Sequence, residues 1–364
     1  MPYGQDPETG QWLSPARNEW GMGKNETMSP VLEEKLCFTA VATNSYEKAA
    51  RVAQKWGTPI EDSTIHSHVQ KRGTQAEELA TRRTERALEP RTREEVVKEA
   101  KERMPSTAFS LVIMMDGWMV REIGSQWGLK PAKTQADRVE WHEVKTATIF
   151  HLDQRVQTQS GRGIILEKYY VARQGDPYEF GREVYAEALR RGLHQAQRVY
   201  VVADGGVWIW NLVEDRFSDA VGVLDFYHAS QHLWTVAREI FSEEEQARHW
   251  VEPLLHQLNH GGESGVLRSL EDLLNLCEEL NEKSIKLVRR EINYFTTHQK
   301  HIHYKKVESE GCPKGSGAVE STCSQFQDRF KRTGQFWTPP GQKHLMRLEL
   351  ADRNGDWDEI WMLE

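Results

Sequence analysis

Apolar positions along the chain follow two periods, and the change from one to the other falls near Thr107. Upstream they recur every three to four residues, as on one face of a helix. Ser29-Pro30 makes a cap with proline at the first helical position, and Leu32, Leu36 and Val41 follow on one face. A second helix runs from Ser45 through Ala49, Ala50, Val52, Ala53 and Trp56 and ends at Gly57-Thr58-Pro59. A third opens at Asp62-Ser63, spaces Ile65 and Val69 four apart, and stops at Gly73. This trio predicts a small all-α helix-turn-helix domain over 29–75. With Ile65 and Val69 turned inward, Thr64, Ser67, His68 and Lys71 share an outer face, and Arg72 follows them. These five are candidate DNA contacts; an ordinary three-helix packing unit would give the same pattern.

Residues 76–106 mix Arg82, Arg83, Arg86, Arg91, Arg93, Lys98 and Lys101 with glutamates, and Pro90 interrupts them. Such mixing marks a solvated helical linker. From Thr107 the pattern becomes that of strands. Phe109 to Met115 reads as a strand buried on both faces and ends in Asp116-Gly117. Trp141 to Phe150, Ile164 to Ala172, Arg198 to Ala203 and Ala220 to Leu224 read as further strands, with a helix from Pro177 to Gly192. The first three strands lack crossover helices and should be antiparallel, so the class is α/β with a mixed sheet. Residues 229–310 carry leucine stripes at helical spacing and read as all-helical. Residues 1–28, rich in Gly and Pro, read as a loosely ordered arm that Trp12 and Trp20 could dock.

Composition narrows the partners. Lys+Arg number 47 against 55 Asp+Glu, a net charge of −8, which excludes a globally basic nucleic-acid coat. Between Lys283 and Arg347, however, 13 basic residues face 5 acidic ones, a net of +8. Apolar runs such as Leu111 to Met115 fall far short of the roughly 20 residues of a membrane span, and the polar N-terminus is no signal peptide. Cys37, Cys277, Cys312 and Cys323 lie far apart and read as free thiols of a reducing cytoplasm.

Three predicted strands end in an acid: Asp116, Asp204 and Asp225. Ligand sites in α/β folds lie outside the carboxyl ends of strands, so such acids can converge, although Asp-Gly is also a plain turn signal. A fourth acid, Glu320, follows Gly315-Ser316-Gly317-Ala318-Val319. Val319, Cys323, Phe326 and Phe330 form one apolar stripe of the helix it opens, and Glu320, Ser324, Gln327 and Lys331 border it, continuing into Arg332. Glu320 is either a first-turn glutamate favoured by the helix dipole or a metal ligand at the edge of the core. The local basic charge suits a polyanion held over a carboxylate site, and also a basic solvated surface.

Laid out in order, Asp116-Gly117, Asp204-Gly205, Trp208-Ile209-Trp210-Asn211, Asp225-Phe226-Tyr227-His228 and Gly315 to Glu320 resemble the bacterial DDE transposases of the ISKra-type insertion-sequence group, related to the Mutator-like elements. The resemblance runs from about Ser29 to the C-terminus. It implies an RNase H-like core in two parts, 107–228 and 311–364, split by the helical insertion 229–310. It implies Asp116, Asp204 and Glu320 as the three metal-binding acids, with Asp225 and His228 matching the C/D(2)H signature beside the active centre. Relatives often carry more sequence before the helix-turn-helix, whereas this chain begins almost directly with the arm, which leaves a shortened copy as one reading.

Three carboxylates suit two Mg2+ ions about 3.5–4 Å apart, Mn2+ substituting, which cleave DNA at the element ends and transfer a 3′-OH into target DNA. His228 would contact the scissile phosphate. His232, four residues on, has metal-pair spacing, but a hard ion takes oxygen. Trp208 and Trp210 either stack on an unpaired base or pack in the core. The expected partners are the terminal inverted repeats and target DNA, with a homodimer or higher oligomer at the nucleoid. The rivals are an inactive DNA-binding descendant of the same fold and a hydrolytic RNase H-like nuclease.

Overall fold

The structure, a computed structural model, describes residues 4–5, 7–9, 12–22, 27–104, 107–125, 127–128, 138–160, 163–276 and 280–362. After a short turn of helix at Pro15–Glu19, the helices are α1 (Pro30–Ala42), α2 (Tyr46–Lys55), α3 (Asp62–Leu88) and α4 (Pro90–Arg103). Next come α5 (Pro177–Arg190), α6 (Val207–Arg216), α7 (Phe226–Ile240), α8 (Glu244–Gly261), α9 (Ser264–Leu276), α10 (Glu282–His298) and α11 (Tyr304–Ser309). The last are α12 (Gly317–Phe330), α13 (Pro339–Asn354) and α14 (Trp357–Trp361). The main sheet consists of β1 (Ser110–Ile123), β2 (Val139–His151), β3 (Tyr169–Gln174), β4 (Arg198–Ala203) and β5 (Val221–Leu224). The chain divides into two compact units, Met1–Arg82 with Glu122–Val139 and Phe336–Glu364, and Arg83–Arg121 with Glu140–Gln335.

In the first unit the caps fall where the sequence put them. Ser29 Oγ accepts from Leu32 N at 3.4 Å and Ser45 Oγ from Lys48 N at 3.1 Å. Ile65 and Val69 are fully buried. Gly73, however, does not stop its helix: α3 runs on through it for 27 residues in all. A Cβ there would overlap the Cβ and backbone of His344 on α13, so the glycine serves close helix approach. The helices from Phe336 onward, expected with the catalytic core, pack in this unit instead. Arg347 pairs with Glu77, and the Phe38 and Trp357 rings meet edge-to-face at 5.5 Å. In the N-terminal arm Gly4–Gln5 and Trp12–Leu13 form a small antiparallel ladder, and Trp20 stands half exposed rather than docked.

A buried charge cluster ties α1 to α3. Glu33 is 3% exposed and receives His68 Nδ1 at 2.8 Å and Arg72 Nη2 at 2.5 Å, with Lys71 Nζ at 3.7 Å. Arg72 is wholly buried, and its guanidinium lies 4.4 Å from the Trp361 ring centroid. Burial pushes the Glu33 carboxyl up, but the His68 and Arg72 hydrogen bonds and the nearby cations outweigh it, holding it at about 2 instead of 4.5. Its contribution to stability is therefore present above about pH 4.5 and lost as pH falls towards 2. The melting-temperature gap between wild type and Glu33→Gln should be widest above pH 5 and close by pH 2; a gap independent of pH would contradict this pairing.

In the second unit the sheet order is β3-β2-β1-β4-β5. β2 and β3 pair antiparallel, whereas β1, β4 and β5 are parallel, so the sheet is mixed. The expected strand Ile164 to Ala172 is in fact two: Gly163–Ile165 forms a hairpin with Arg155–Gln157, and β3 begins at Tyr169. The charged stretch read as a solvated linker is helical and buries one face. Ala87 and Val96 pack with Ala186 and Leu189 of α5. Gly205-Gly206 releases the chain from β4 into α6, so Trp208 and Trp210 lie on a helix rather than alternating on a strand. Thr148 and Thr322 hydroxyls meet at 3.0 Å and Trp118 packs near Phe326 and Phe330, which sets α12 on one face of β1 and β2. On α6, Trp208 lies over Lys145 on the opposite face.

From residue 226 to 309 the described chain is almost wholly helical. α7 packs on α8, α8 on α9, α9 on α10, and α10 returns to α7, closing a four-helix ring around Leu233, Val251, Leu270 and Val288. Cys37, Cys312 and Cys323 are buried free thiols, and Cys277 lies outside the described residues. Among the described residues no helix is long and apolar enough to cross a membrane.

Candidate active site

Three parallel strands carry aspartate at one level: β4 and β5 stop there, whereas β1 runs on through Asp116-Gly117 to Ile123, past the end that the sequence predicted. Met115 is opposite Ala203, and Ala203 is opposite Leu224, so Asp116, Asp204 and Asp225 occupy the next row of the sheet. Adjacent strands lie about 4.8 Å apart, which makes the first two neighbours. The side chains then diverge in use. Asp116 Oδ1 accepts from Gly117 N at 2.7 Å and Asp204 Oδ1 from Gly206 N at 2.9 Å, both local bonds that orient each carboxylate.

Asp225 is 0% exposed and saturated by protein donors. Its Oδ1 caps α7 through Tyr227 N at 2.7 Å and His228 N at 2.9 Å. Its Oδ2 takes both the amide and the hydroxyl of Ser316, each at 2.5 Å. The hydroxyl also reaches Glu320 Oε1, at 3.1 Å. Asp225, expected among the reacting groups, is therefore a positioning residue: it pins the loop that launches α12 and, through Ser316, the carboxylate of Glu320. Gly315 is required beside it, since a Cβ there would strike the Tyr227 ring.

One helical turn beyond Glu320, the Cys323 thiol lies beside Asp116. Residues three apart on a helix are neighbours, about 5–6 Å between Cβ atoms, so Glu320 is on the Asp116 side of its helix. The electrostatics agree. Burial raises the Asp116 carboxyl above its ordinary value, the Gly117 amide opposes that, and the negative charges of Asp204 and Glu320 raise it further. The Cys323 thiol is itself pushed up, by burial first and then by Asp116. Among the described residues, no three acidic, histidine or cysteine side chains stand close enough, as placed, to hold a metal ion. What suits a hard divalent cation is the donor set: three carboxylates, of which Glu320 is exposed and the two aspartates half-buried.

His228 is half-buried in the first turn of α7. His232 is committed elsewhere: its Nδ1 meets the buried Glu291 at 2.5 Å and its ring stacks on Tyr294 at 3.8 Å. Trp210 is buried, stacks on His301 at 3.8 Å and donates to the Asp204 carbonyl at 2.8 Å, so it packs in the core and offers no face to a base. Trp208 is half-buried against Phe180. Lys331 is half-buried and Arg332 exposed at the end of α12.

In the first unit, Ser67 is exposed and bonds back to Ser63 O at 3.0 Å, and Thr64 lines a cavity of about 620 Å³ with Glu47 and Arg51. His68, Lys71 and Arg72 converge on Glu33, and Arg72 presents no edge to solvent, which corrects its expected contact with DNA.

Sequence reasoning missed Ser316, Cys323 and Tyr294. A Cβ on Gly205 would overlap the Tyr294 ring, whose buried hydroxyl has no hydrogen-bond partner among the described residues and whose ionisation is suppressed by burial and by Asp204. Only the glycines flanking Asp204 and Ser316 hinted at such close approach.

The pattern of the uncharacterised protein family UPF0236 matches residues 144–364, more than half of the chain. The chain belongs to UPF0236. The UPF0236 match contains Asp204, Asp225, His228, Ser316 and Glu320 and begins after Asp116. No curated protein matches this UPF0236 member. Among solved structures, one match is the Drosophila P element transposase strand transfer complex, at 13% identity over 95% of this chain and 82% of that one, with a TM-score of 0.28. A superposition that loose says nothing about fold or chemistry.

Proposed function

We propose that the chain is a DDE-type DNA transposase of the ISKra-like kind, with Asp116, Asp204 and Glu320 as its three acids. The observation that carries this reading is that Asp116 and Asp204 stand in one row of adjacent parallel strands, while Asp225 in the same row holds Glu320 through Ser316. Carboxylates gathered from two neighbouring strands and the helix packed beside them are the donor set a divalent cation takes. The sheet order β3-β2-β1-β4-β5, antiparallel at β2–β3 and parallel from β1 to β5, supports an RNase H-like core.

When bound, two Mg2+ ions, or Mn2+ in their place, would activate the attacking water or 3′-OH and stabilise the leaving oxygen. Asp116 and Asp204 would supply ligand oxygens oriented by the Gly117 and Gly206 amides, and Glu320, held by Ser316 and through it by Asp225, would supply the third. His228, in the first turn of α7, hydrogen-bonds the scissile phosphate. The substrates are element ends and target duplex, engaged by a homodimer or larger assembly at the nucleoid. Residues 107–228 and 311–335 are the core, 229–310 an insertion, and the first unit holds the end-binding helices.

The test incubates purified protein with DNA carrying the flanks of its own gene and either Mg2+ or Mn2+. Metal-dependent nicking at the element boundary, followed by joining of the 3′ end to a second duplex, is expected. Nicking without joining would leave a hydrolytic nuclease, and binding without nicking an inactive descendant.

A further inference from the structure

The far end of α12 carries an aromatic and basic patch. Trp141 on β2 is 51% exposed, although a ring of this size usually seeks burial. Two cations attend it: Lys331 Nζ lies 5.5 Å from the ring centroid and the Arg121 guanidinium 5.8 Å. Arg121 donates to the carbonyl of Arg332, which brings that exposed arginine beside them. Lys331 Nζ is otherwise held by Gln327 Oε1 at 3.4 Å, with no carboxylate against it among the described residues. These residues come from β1, β2 and the end of α12, elements that also bear on the acid site.

Two elements measure the distance between patch and site. Along β1, Asp116 to Arg121 is five residues, about 17 Å at about 3.3 Å each. Along α12 and its cap, Glu320 to Lys331 is eleven residues, also about 17 Å at 1.5 Å each. At about 3.4 Å per nucleotide this spans roughly five nucleotides.

We propose that Trp141, with Arg121, Lys331 and Arg332, holds an unpaired stretch of the DNA flank roughly five nucleotides from the phosphate at the acid site. The cations take backbone phosphates, and the exposed indole stacks on a base, a pairing of charge and aromatic surface that suits single strands. The inference rests on the DNA-cleavage reading and extends it to substrate geometry: duplex that is frayed or single-stranded at one end should be preferred.

Binding is measured by fluorescence anisotropy in EDTA, with labelled DNA bearing an unpaired flank of three or eight nucleotides beyond the boundary. Wild type should bind the eight-nucleotide flank about tenfold more tightly than the three-nucleotide one. Trp141→Ala should erase that difference, Trp141→Phe should keep most of it, and Lys331→Ala should flatten the salt dependence. A wild-type preference that Trp141→Ala leaves intact overturns the proposal while the DNA reading stands. Wild type that binds neither DNA overturns both, whereas a Trp141-dependent preference without any cleavage upholds the patch and removes only the catalytic reading. Because Trp141 is half exposed, circular dichroism should find both variants folded.

Discussion

Replacing Asp204 with Asn is expected to lower metal-dependent DNA cleavage by about a thousandfold while leaving fold and DNA binding intact. The amide keeps an oxygen for the Gly206 N–H, which now meets Asp204 Oδ1 at 2.9 Å, so the strand end retains its shape. What disappears is one negative charge of the three that bear on a common point. Losing a ligand to a catalytic cation removes several kcal/mol of transition-state stabilisation, and about 4 kcal/mol corresponds to three decades in rate. The Asp116 carboxyl, raised first by burial and then by the Asp204 charge, should drop towards its ordinary value in the variant. Single-turnover cleavage measures the rate and anisotropy the binding. Cleavage within tenfold of wild type would remove Asp204 from the catalytic set.

The second large effect is expected at a residue that touches no substrate. Asp225 accepts four hydrogen bonds from Tyr227 N, His228 N, Ser316 N and Ser316 Oγ. In Asp225→Asn one side of the group becomes an NH2, which faces two donors whichever way the amide turns. Leaving buried donors unpaired costs about 2–4 kcal/mol here. The Ser316 loop loosens as a result, and with it the 3.1 Å bond to Glu320. Thermal unfolding should shift down, and half-maximal cleavage should require several-fold more Mg2+. Ser316→Ala should reproduce the Mg2+ effect with a smaller loss of stability. A variant that melts like wild type with an unchanged Mg2+ requirement would refute the positioning assignment.

The parts of this architecture that the sequence discloses are those governed by local rules. A run such as Leu111 to Met115 has no polar position to offer solvent, so it must be a buried strand, although Asp116-Gly117, read as its end, lies inside a strand that continues to Ile123. The caps Ser29 and Ser45 depend on backbone amides within three residues. The parts that were not legible depend on distant partners. Gly73 reads as a stop because glycine weakens helices, yet His344, far along the chain, demands the missing side chain. Arg72 reads as a surface cation until Glu33 and Trp361 enclose it. Trp208 and Trp210 stay open between base stacking and core packing until Phe180 and His301, from distant parts of the chain, meet their rings. Cys323 and Ser316 acquire meaning only when α12 lies on the sheet and meets Asp116 and Asp225.

The central claim is that Asp116, Asp204 and Glu320 share one divalent-cation site. Anomalous diffraction from crystals of the full chain soaked in Mn2+ tests it most directly. The account predicts a manganese peak within about 2.0–2.6 Å of oxygens from all three carboxylates. A peak elsewhere, or none at saturating Mn2+ with the sheet intact and the acids more than about 10 Å apart, would contradict it.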